Sequence, residues 1–256
     1  MPMPANAVAI IPARLGSTRF PAKALAAETG KPLVVHVCEQ ASKARSVSRV
    51  VVATDAVEIK DAVESHGFET VITSIEHPNG TSRLGEASDL LELTGDQLVI
   101  NVQGDEPEIE PEVIDAAAQA GARIDGFGAG TVVTRIYTDA DFQNPNIVKA
   151  VLGEDEGEIR PAIYFSRSPV PYPRNTPEDP PFRHVGIYAY SVNAIRAYLK
   201  LKPTALESTE SLEQLRWLAH GYRVQAAIVE SSHTGIDTPE QYRAFVDRYT
   251  QKNPSI

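Results

Sequence analysis

The chain has 256 residues, 42% apolar and 23% charged, and 34 acidic against 24 basic residues leave a formal net charge of −10. That length suffices for one large α/β domain or two small ones with a real core, and the negative balance disfavours general nucleic-acid binding or attraction to an anionic membrane. A single cysteine, Cys38, excludes an intramolecular disulfide framework, and with no signal-peptide pattern and no apolar stretch near the roughly 18 residues of a membrane span, a soluble cytoplasmic protein is expected.

Residues 8–11 are a short apolar run that reads as a buried strand, and Pro12 is expected to end its ladder. The next stretch, PARLGSTRFPAK, combines Gly16, the hydroxyls of Ser17 and Thr18, and three cations, Arg14, Arg19 and Lys23. No acidic residue precedes Glu28. So much positive charge in one loop of an acidic chain suggests an anion site. Arginine grips phosphate oxygens bidentately, lysine is a movable point charge, and backbone N–H groups near glycine can cradle the rest. A solvated basic loop is the alternative. The stretch is neither a Walker loop nor GxGxxG.

A helix is expected from Pro32, with Leu33, Val34, Val37, Cys38 and Ala41 at helical spacing, although its valines also suit a strand. Residues 49–54 (RVVVAT) are a clear strand closed by Asp55; 56–66 is helical with Gly67 as cap; 69–73 is a third strand. This β-loop-α-β-α-β order predicts a parallel sheet covered on both faces, with ligands beyond the carboxyl ends of its strands. The opening loop lies at such an end. In HPNGTSRLGE, residues 77–86, Asn-Gly signals a turn before a helix, and a plain loop with a Ser/Thr cap would explain it equally. Strand 97–102 then runs into Gln103-Gly104-Asp105. A carboxylate leaving a buried strand is costly unless paired or metal-bound, so Asp105 reads as a Mg²⁺ ligand, with a turn-forming Asp as the alternative.

In the second half, 128–135 and 147–152 read as strands, 154–158 as an acidic turn and 159–165 as a strand pairing back. Six prolines fall between Ser168 and Pro181, giving an extended loop. Residues 183–190 alternate as a strand should. Thr204 to Glu207 form a capping box, so a helix starts near Ala205. Counting on from it puts Glu207, Glu210 and Gln214 on one face, with Glu207 equally suited to capping. Strand 224–229, the turn Gly235-Ile236-Asp237-Thr238-Pro239 and a final helix close the chain. No internal repeat or linker is visible.

Taken together, IIPARLGSTRFPAKAL, VVATD, GTSRLGEA, NVQGDEP, NPNIVKAV, YFSRSPVP, HVGIYAY, LESTESLEQLR and GIDTPEQY resemble the 3-deoxy-manno-octulosonate (Kdo) cytidylyltransferases, the CMP-Kdo synthetases. These pieces fall in family order from Val8 to Tyr242. The resemblance implies CTP + Kdo = CMP-Kdo + pyrophosphate, with Mg²⁺, for lipopolysaccharide-type glycan synthesis. It implies a mostly parallel, Rossmann-like sheet of the sugar-nucleotidyltransferase (GT-A-like) type, with a smaller sugar-binding and dimerisation layer in the second half. The chain is then one nucleotidyltransferase domain over 1–256, with 1–125 mainly for CTP, 126–222 mainly for sugar and dimer, and 223–256 returning to the core. A homodimer is implied, with neither nucleic acid nor membrane as partner.

Arg14, Ser17, Arg19 and Lys23 would hold the triphosphate. Gly80, Thr81, Ser82, Arg83 and Gln103, with the Pro12-Ala13 backbone, would surround cytosine. Arg14, Lys23, Asp105 and Asp237 would form the catalytic group, with Asp105 and Asp237 as metal ligands brought together by the resemblance alone. Arg167, His184, Tyr188, Glu207, Glu210 and Gln214 would line the sugar site. Departures from the commoner family pattern are Asn79 in place of serine, Ser82 in place of an acid, and Ser208-Thr209. A modified Kdo such as an amino-substituted one, a nonulosonic (sialic-type) acid, or a catalytically silent nucleotide-binding homologue are the competing readings. A dehydrogenase is disfavoured, because no glycine-rich dinucleotide turn follows any strand.

Overall fold

In the computed structural model the chain is described over residues 3–16, 19–77, 79–154, 157–175, 179–231 and 235–252. The strands are β1 (Ala7–Ala13), β2 (Val47–Thr54), β3 (Glu69–Ile72), β4 (Leu98–Asn101), β5 (Gly128–Arg135), β6 (Lys149–Leu152), β7 (Ile159–Ser166), β8 (Phe182–Ser191) and β9 (Arg223–Ile228). They join in one sheet in the order β3-β2-β1-β4-β8-β5-β9-β7-β6.

The sheet is mixed, which corrects the expectation of a mostly parallel one. β3, β2, β1 and β4 run parallel to one another, as the opening pattern predicts. From β4 onward antiparallel pairing dominates; β9 alone lies parallel to β5. β6 pairs with both β7 and β8, so β8-β5-β9-β7-β6 closes on itself as a small barrel. Pro12 does not end β1 either, since it sits in register opposite Ala53. On the other side the ladder to β4 has already finished at Ile10 and Asn101. A missing N–H costs little at such an edge.

Helices α1 (Leu33–Ala41), α2 (Val57–Glu64), α3 (Gly80–Leu90), α4 (Pro111–Ala122), α5 (Asp139–Gln143), α6 (Val192–Tyr198), α7 (Ala205–Glu210), α8 (Leu215–Ala219) and α9 (Pro239–Lys252) cover the sheet. Alternation along β1 shows how the layers form, because successive side chains point to opposite faces. Ala7, Ala9 and Ile11 pack with residues of α1, α2 and α4, whereas Val8 and Ile10 pack with residues of α3, α6 and α8. α4 and α6 escape the sequence reading for different reasons. α4 carries Glu112, Asp115 and Gln119 at helical spacing, a polar stripe beside its alanines that the sequence reading passes over. α6 follows β8 without a loop, started by Ser191, whose hydroxyl accepts from the N–H of Ala194. The final helix docks through Tyr242 and Phe245 against Leu33 and Ile236. No helix among the described residues is long and apolar enough to cross a membrane.

Candidate active site

At the carboxyl ends of β1 and β4 lies a cavity of about 310 Å³. Its walls come from the opening loop (Pro12, Ala13, Arg14, Arg19, Lys23), the start of α3 (His77, Asn79, Gly80, Arg83), the loop after β4 (Gln103, Gly104, Asp105) and Asp237. Ser17 lies outside the described residues. Gly104 lets two of these walls meet, because a Cβ there would stand 2.8 Å from the carbonyl oxygen of Pro12.

Lys23 ties the floor together. Its ammonium donates to Asp105 Oδ2 at 2.8 Å, to the carbonyl of Ile236 at 2.7 Å and to Asp237 Oδ1 at 3.3 Å. Arg19 pairs with the other oxygen of Asp237 at 3.0 Å. The helix-start role open to this turn falls to Thr238, whose hydroxyl accepts from the N–H of Gln241. The Asp237 carboxylate is thus not spent on capping and borders the cavity with its Lys23 and Arg19 partners. Two carboxylates converging on one cationic position fit Mg²⁺, which is commonly held by one or two carboxylates together with substrate phosphates.

Arg83 is buried at the cavity wall, donating to Asp55 at 2.7 Å and to the Thr73 hydroxyl at 2.5 Å. Asp55 and Thr73, from the ends of β2 and β3, therefore fix a guanidinium that could not stand buried alone. Ser82 lines neither this cavity nor the next. Its N–H and hydroxyl donate to the side chain and carbonyl of Asn79, which caps α3. Asn79 and a serine are both good N-caps, so this departure from the family pattern is absorbed in helix capping.

A second cavity, about 240 Å³, lies behind the first and shares Gly80 and Gln103 with it. Tyr188, Tyr190, Tyr198 and Trp217 give it aromatic walls, and Thr81, Asn101, Glu213 and Gln214 supply polar groups. Thr81 thus belongs here rather than with the first cavity, and its hydroxyl donates to Glu213 at 3.1 Å. Burial raises the Glu213 pKa, opposed by that hydrogen bond. Asn101 Oδ1 and Gln214 Nε2 are buried without a hydrogen-bond partner. Orphaned polar atoms are rare inside proteins, and here an acceptor and a donor border the same cavity.

Arg167, Glu210 and His184 form a neighbouring cluster. Glu210 accepts from the Ser166 hydroxyl at 2.6 Å and the Arg167 N–H at 2.9 Å. Burial opposes its charge, yet these bonds and the Arg167 charge hold its pKa below the ordinary value. The Arg167 guanidinium donates to the carbonyls of Glu210 and Pro145. Lys149, fully buried, pins the same loop through the carbonyls of Asn144 and Ile147. The His184 ring packs against Phe165 of this cluster and Tyr188 of the second cavity. Burial lowers its pKa to about 3, so it is not a cation at neutral pH.

Glu207 is placed elsewhere. It completes the capping box with Thr204 and pairs through both oxygens with Arg216, outside both cavities. The shared face expected for Glu207, Glu210 and Gln214 does not exist either, because Ser211 adopts left-handed angles (φ 53°, ψ 50°) and ends α7. The carboxylate that reaches the second cavity is Glu213, which helical counting passes over.

Comparison with known proteins adds five matches. A family model described as cytidylyltransferase matches residues 8–228. A 3-deoxy-manno-octulosonate cytidylyltransferase of Polynucleobacter necessarius subsp. necessarius (strain STIR1) is 45% identical over 235 residues, covering 90% of this chain and 91% of that one. An 8-amino-3,8-dideoxy-manno-octulosonate cytidylyltransferase of Shewanella pealeana (strain ATCC 700345 / ANG-SQ1) is 43% identical over 246 residues, covering 96% and 99%. Among solved structures, a CMP:2-keto-3-deoxy-manno-octonic acid synthetase complexed with CTP superposes with TM-score 0.88 at 36% identity, covering 97% of this chain and all of that one. A UDP-glucose pyrophosphorylase with UDP-glucose, at 13% identity and TM-score 0.65 over 97% of this chain and 100% of that one, shares the fold alone.

Proposed function

We propose that this chain, which belongs to the cytidylyltransferase family, couples CTP to Kdo or a close Kdo analogue, releasing pyrophosphate. The product is an activated sugar of the kind used in lipopolysaccharide-type glycan synthesis. The observation that carries this reading is the pair of cavities joined at Gly80 and Gln103. One has the cations and carboxylates a triphosphate needs. The other has aromatic walls and unpaired amide atoms suited to a polyhydroxylated acid.

In this reading the sugar's anomeric hydroxyl attacks the α-phosphorus. The oxygen–phosphorus bond forms, the bond to the β-phosphate's bridging oxygen breaks so that pyrophosphate leaves with that electron pair, and the hydroxyl proton passes to solvent water. Catalysis of such a transfer is mostly positioning and electrostatic stabilisation. Arg14, Arg19 and Lys23 bind the triphosphate oxygens, a role that extends to Ser17. All three Lys23 donors are engaged in the free protein, so contact with a phosphate means trading one of those partners. Arg83 and Gln103 face the base. Asp105 and Asp237 would hold Mg²⁺, which supplies neutralisation of the phosphate charge when bound. Arg167 takes the sugar carboxylate, while Tyr188, Glu213 and Gln214 meet its hydroxyls, with Glu210 fixing the backbone of Arg167.

The Shewanella relative favours a second substrate, 8-amino-Kdo, whose ammonium the Glu213 carboxylate could accept. Pyrophosphate release should be measured with each nucleoside triphosphate against Kdo, 8-amino-Kdo and N-acetylneuraminate. Release is expected with CTP and one or both Kdo acids. Release with N-acetylneuraminate alone, or with none, would overturn the proposal.

The same reading includes a homodimer built on the barrel side, supported by the exposed Ile163 and Tyr172. A symmetric closed contact there would double the 27.8 kDa mass. Light scattering at micromolar concentration that finds monomer alone would exclude it.

A further inference from the structure

Between Thr131 and Val132 the β5–β8 ladder slips: Thr131 faces Tyr188 but Val132 faces Val185, leaving Gly186 and Ile187 without counterparts. Such a bulge frees ladder groups, and buried carbonyls must find other donors. Side chains of the site supply them. Gln103 Nε2 donates to the Gly186 carbonyl at 3.1 Å. The buried Thr131 hydroxyl lies 2.7 Å from the Ile187 carbonyl, 3.4 Å from that of Val185 and 3.0 Å from His184 Nε2.

A carbonyl oxygen has no proton, so the 2.7 Å contact places the threonine's hydroxyl proton on the line to Ile187. A hydroxyl has only that one proton to give. Towards His184 the oxygen can therefore only accept, and Nε2 must carry the ring hydrogen. Because burial keeps the imidazole neutral near pH 7, Nδ1 is left as a bare lone pair. The ring cannot easily turn, being held between Phe165 at 4.9 Å and Tyr188 at 5.4 Å between centroids. Among the described residues nothing donates to Nδ1.

We infer that Thr131 is a positioning residue which fixes His184 as the Nε2–H tautomer, so that Nδ1 accepts a hydrogen bond from a hydroxyl of the sugar acid. This rests on the sugar-site place that the family resemblance implies for His184, whose ring packs on Tyr188 of the second cavity. It separates two residues that both look basic: Arg167 answers the carboxylate, whereas His184 answers a hydroxyl. It also gives the bulge a purpose, since its carbonyls orient Gln103 directly and His184 through Thr131.

The tautomer is read directly from two-bond ¹⁵N–¹H correlations of the His184 ring in the free protein at pH 7.5. The wild type should show Nε2 protonated and Nδ1 bare. Thr131→Val, which keeps the shape and removes the hydroxyl, should shift the ring toward Nδ1–H and raise the Kdo KM about tenfold, as loss of one buried hydrogen bond does. CTP affinity should stay as in the wild type. Thr131→Ser should restore both the wild-type spectrum and the KM. A protonated Nδ1 in the wild type overturns the inference without any variant, and so does a Thr131→Val protein with unchanged tautomer and unchanged KM. Inactivity of the wild type on both Kdo acids, with Nε2 protonated, would instead strike the sugar reading and leave the tautomer assignment standing.

Discussion

The ammonium of Lys23 lies 2.8 Å from the carboxylate of Asp105, across 82 residues of sequence. The same ammonium reaches Asp237, from the far end of the chain, at 3.3 Å. One internal cation thus holds together two carboxylates that would otherwise repel each other.

Asp237→Asn tests whether that arrangement serves chemistry. Because Thr238 rather than Asp237 caps α9, the variant should keep its melting temperature and bind CTP. It should lose kcat by about a hundredfold or more, as for other electrostatic groups acting in a transition state. Asp105→Asn combined with it should cost much less than the product of the two single losses. Full activity with a lowered melting temperature would make Asp237 a structural turn.

Arg167→Ala should separate sugar from nucleotide. A charge-assisted hydrogen bond is worth about 1.5–3 kcal/mol, so the sugar KM should rise roughly 10- to 150-fold with CTP binding nearly intact. Calorimetry showing lost CTP affinity with an unchanged sugar KM would contradict this role.

Gly104→Ala should damage the first cavity, proposed to take CTP, from within its wall. The added methyl would sit 2.8 Å from the carbonyl oxygen of Pro12, forcing apart the loops that carry Lys23 and Asp105. Overpacking of this kind costs about 1–3 kcal/mol. CTP affinity should fall about tenfold or more by calorimetry, while wild-type affinity would show that the two loops are independent.

Stability should fall in mild acid. Burial lowers the His36 pKa from 6.5 to about 4, and that of His184 to about 3. Above pH 6.5 both are neutral folded or unfolded, so they contribute no pH dependence there. Below it the unfolded chain binds protons that the folded chain refuses. Each histidine then removes up to about 1.4 kcal/mol per pH unit until its folded pKa is passed. Urea titrations at pH 7.5, 6, 5 and 4 should show the decline, and His36→Gln should flatten it. An unchanged slope in that variant would show that His36 is protonated in the folded protein.

The opening loop was legible because three cations without an acid stand out in a chain of net charge −10. The parallel half of the sheet was legible because its strands alternate with helices. Residues brought together by the tertiary fold were not. No spacing relates Lys23 to Asp237, and only the family resemblance paired Asp105 with Asp237. Glu213 was hidden by the left-handed Ser211, which ends the helix that counting continues through. The pairing of β7 back onto β6 was legible from the acidic turn between them, but the barrel was not, because β6 reaches its second partner, β8, through closure rather than through sequence pattern.

That closure has a consequence for how copies of the chain can meet. Every described strand except β3 has a partner on each side along part of its length. β3 is only four residues long, and its first residue, Glu69, is paired with Arg49. A short, charged edge is a poor template for another strand. Two molecules approaching barrel to barrel therefore meet no strand with a whole free edge to extend. Their contact is left mainly to side chains, which ties their pairing to surface shape and disfavours runaway strand addition at high concentration.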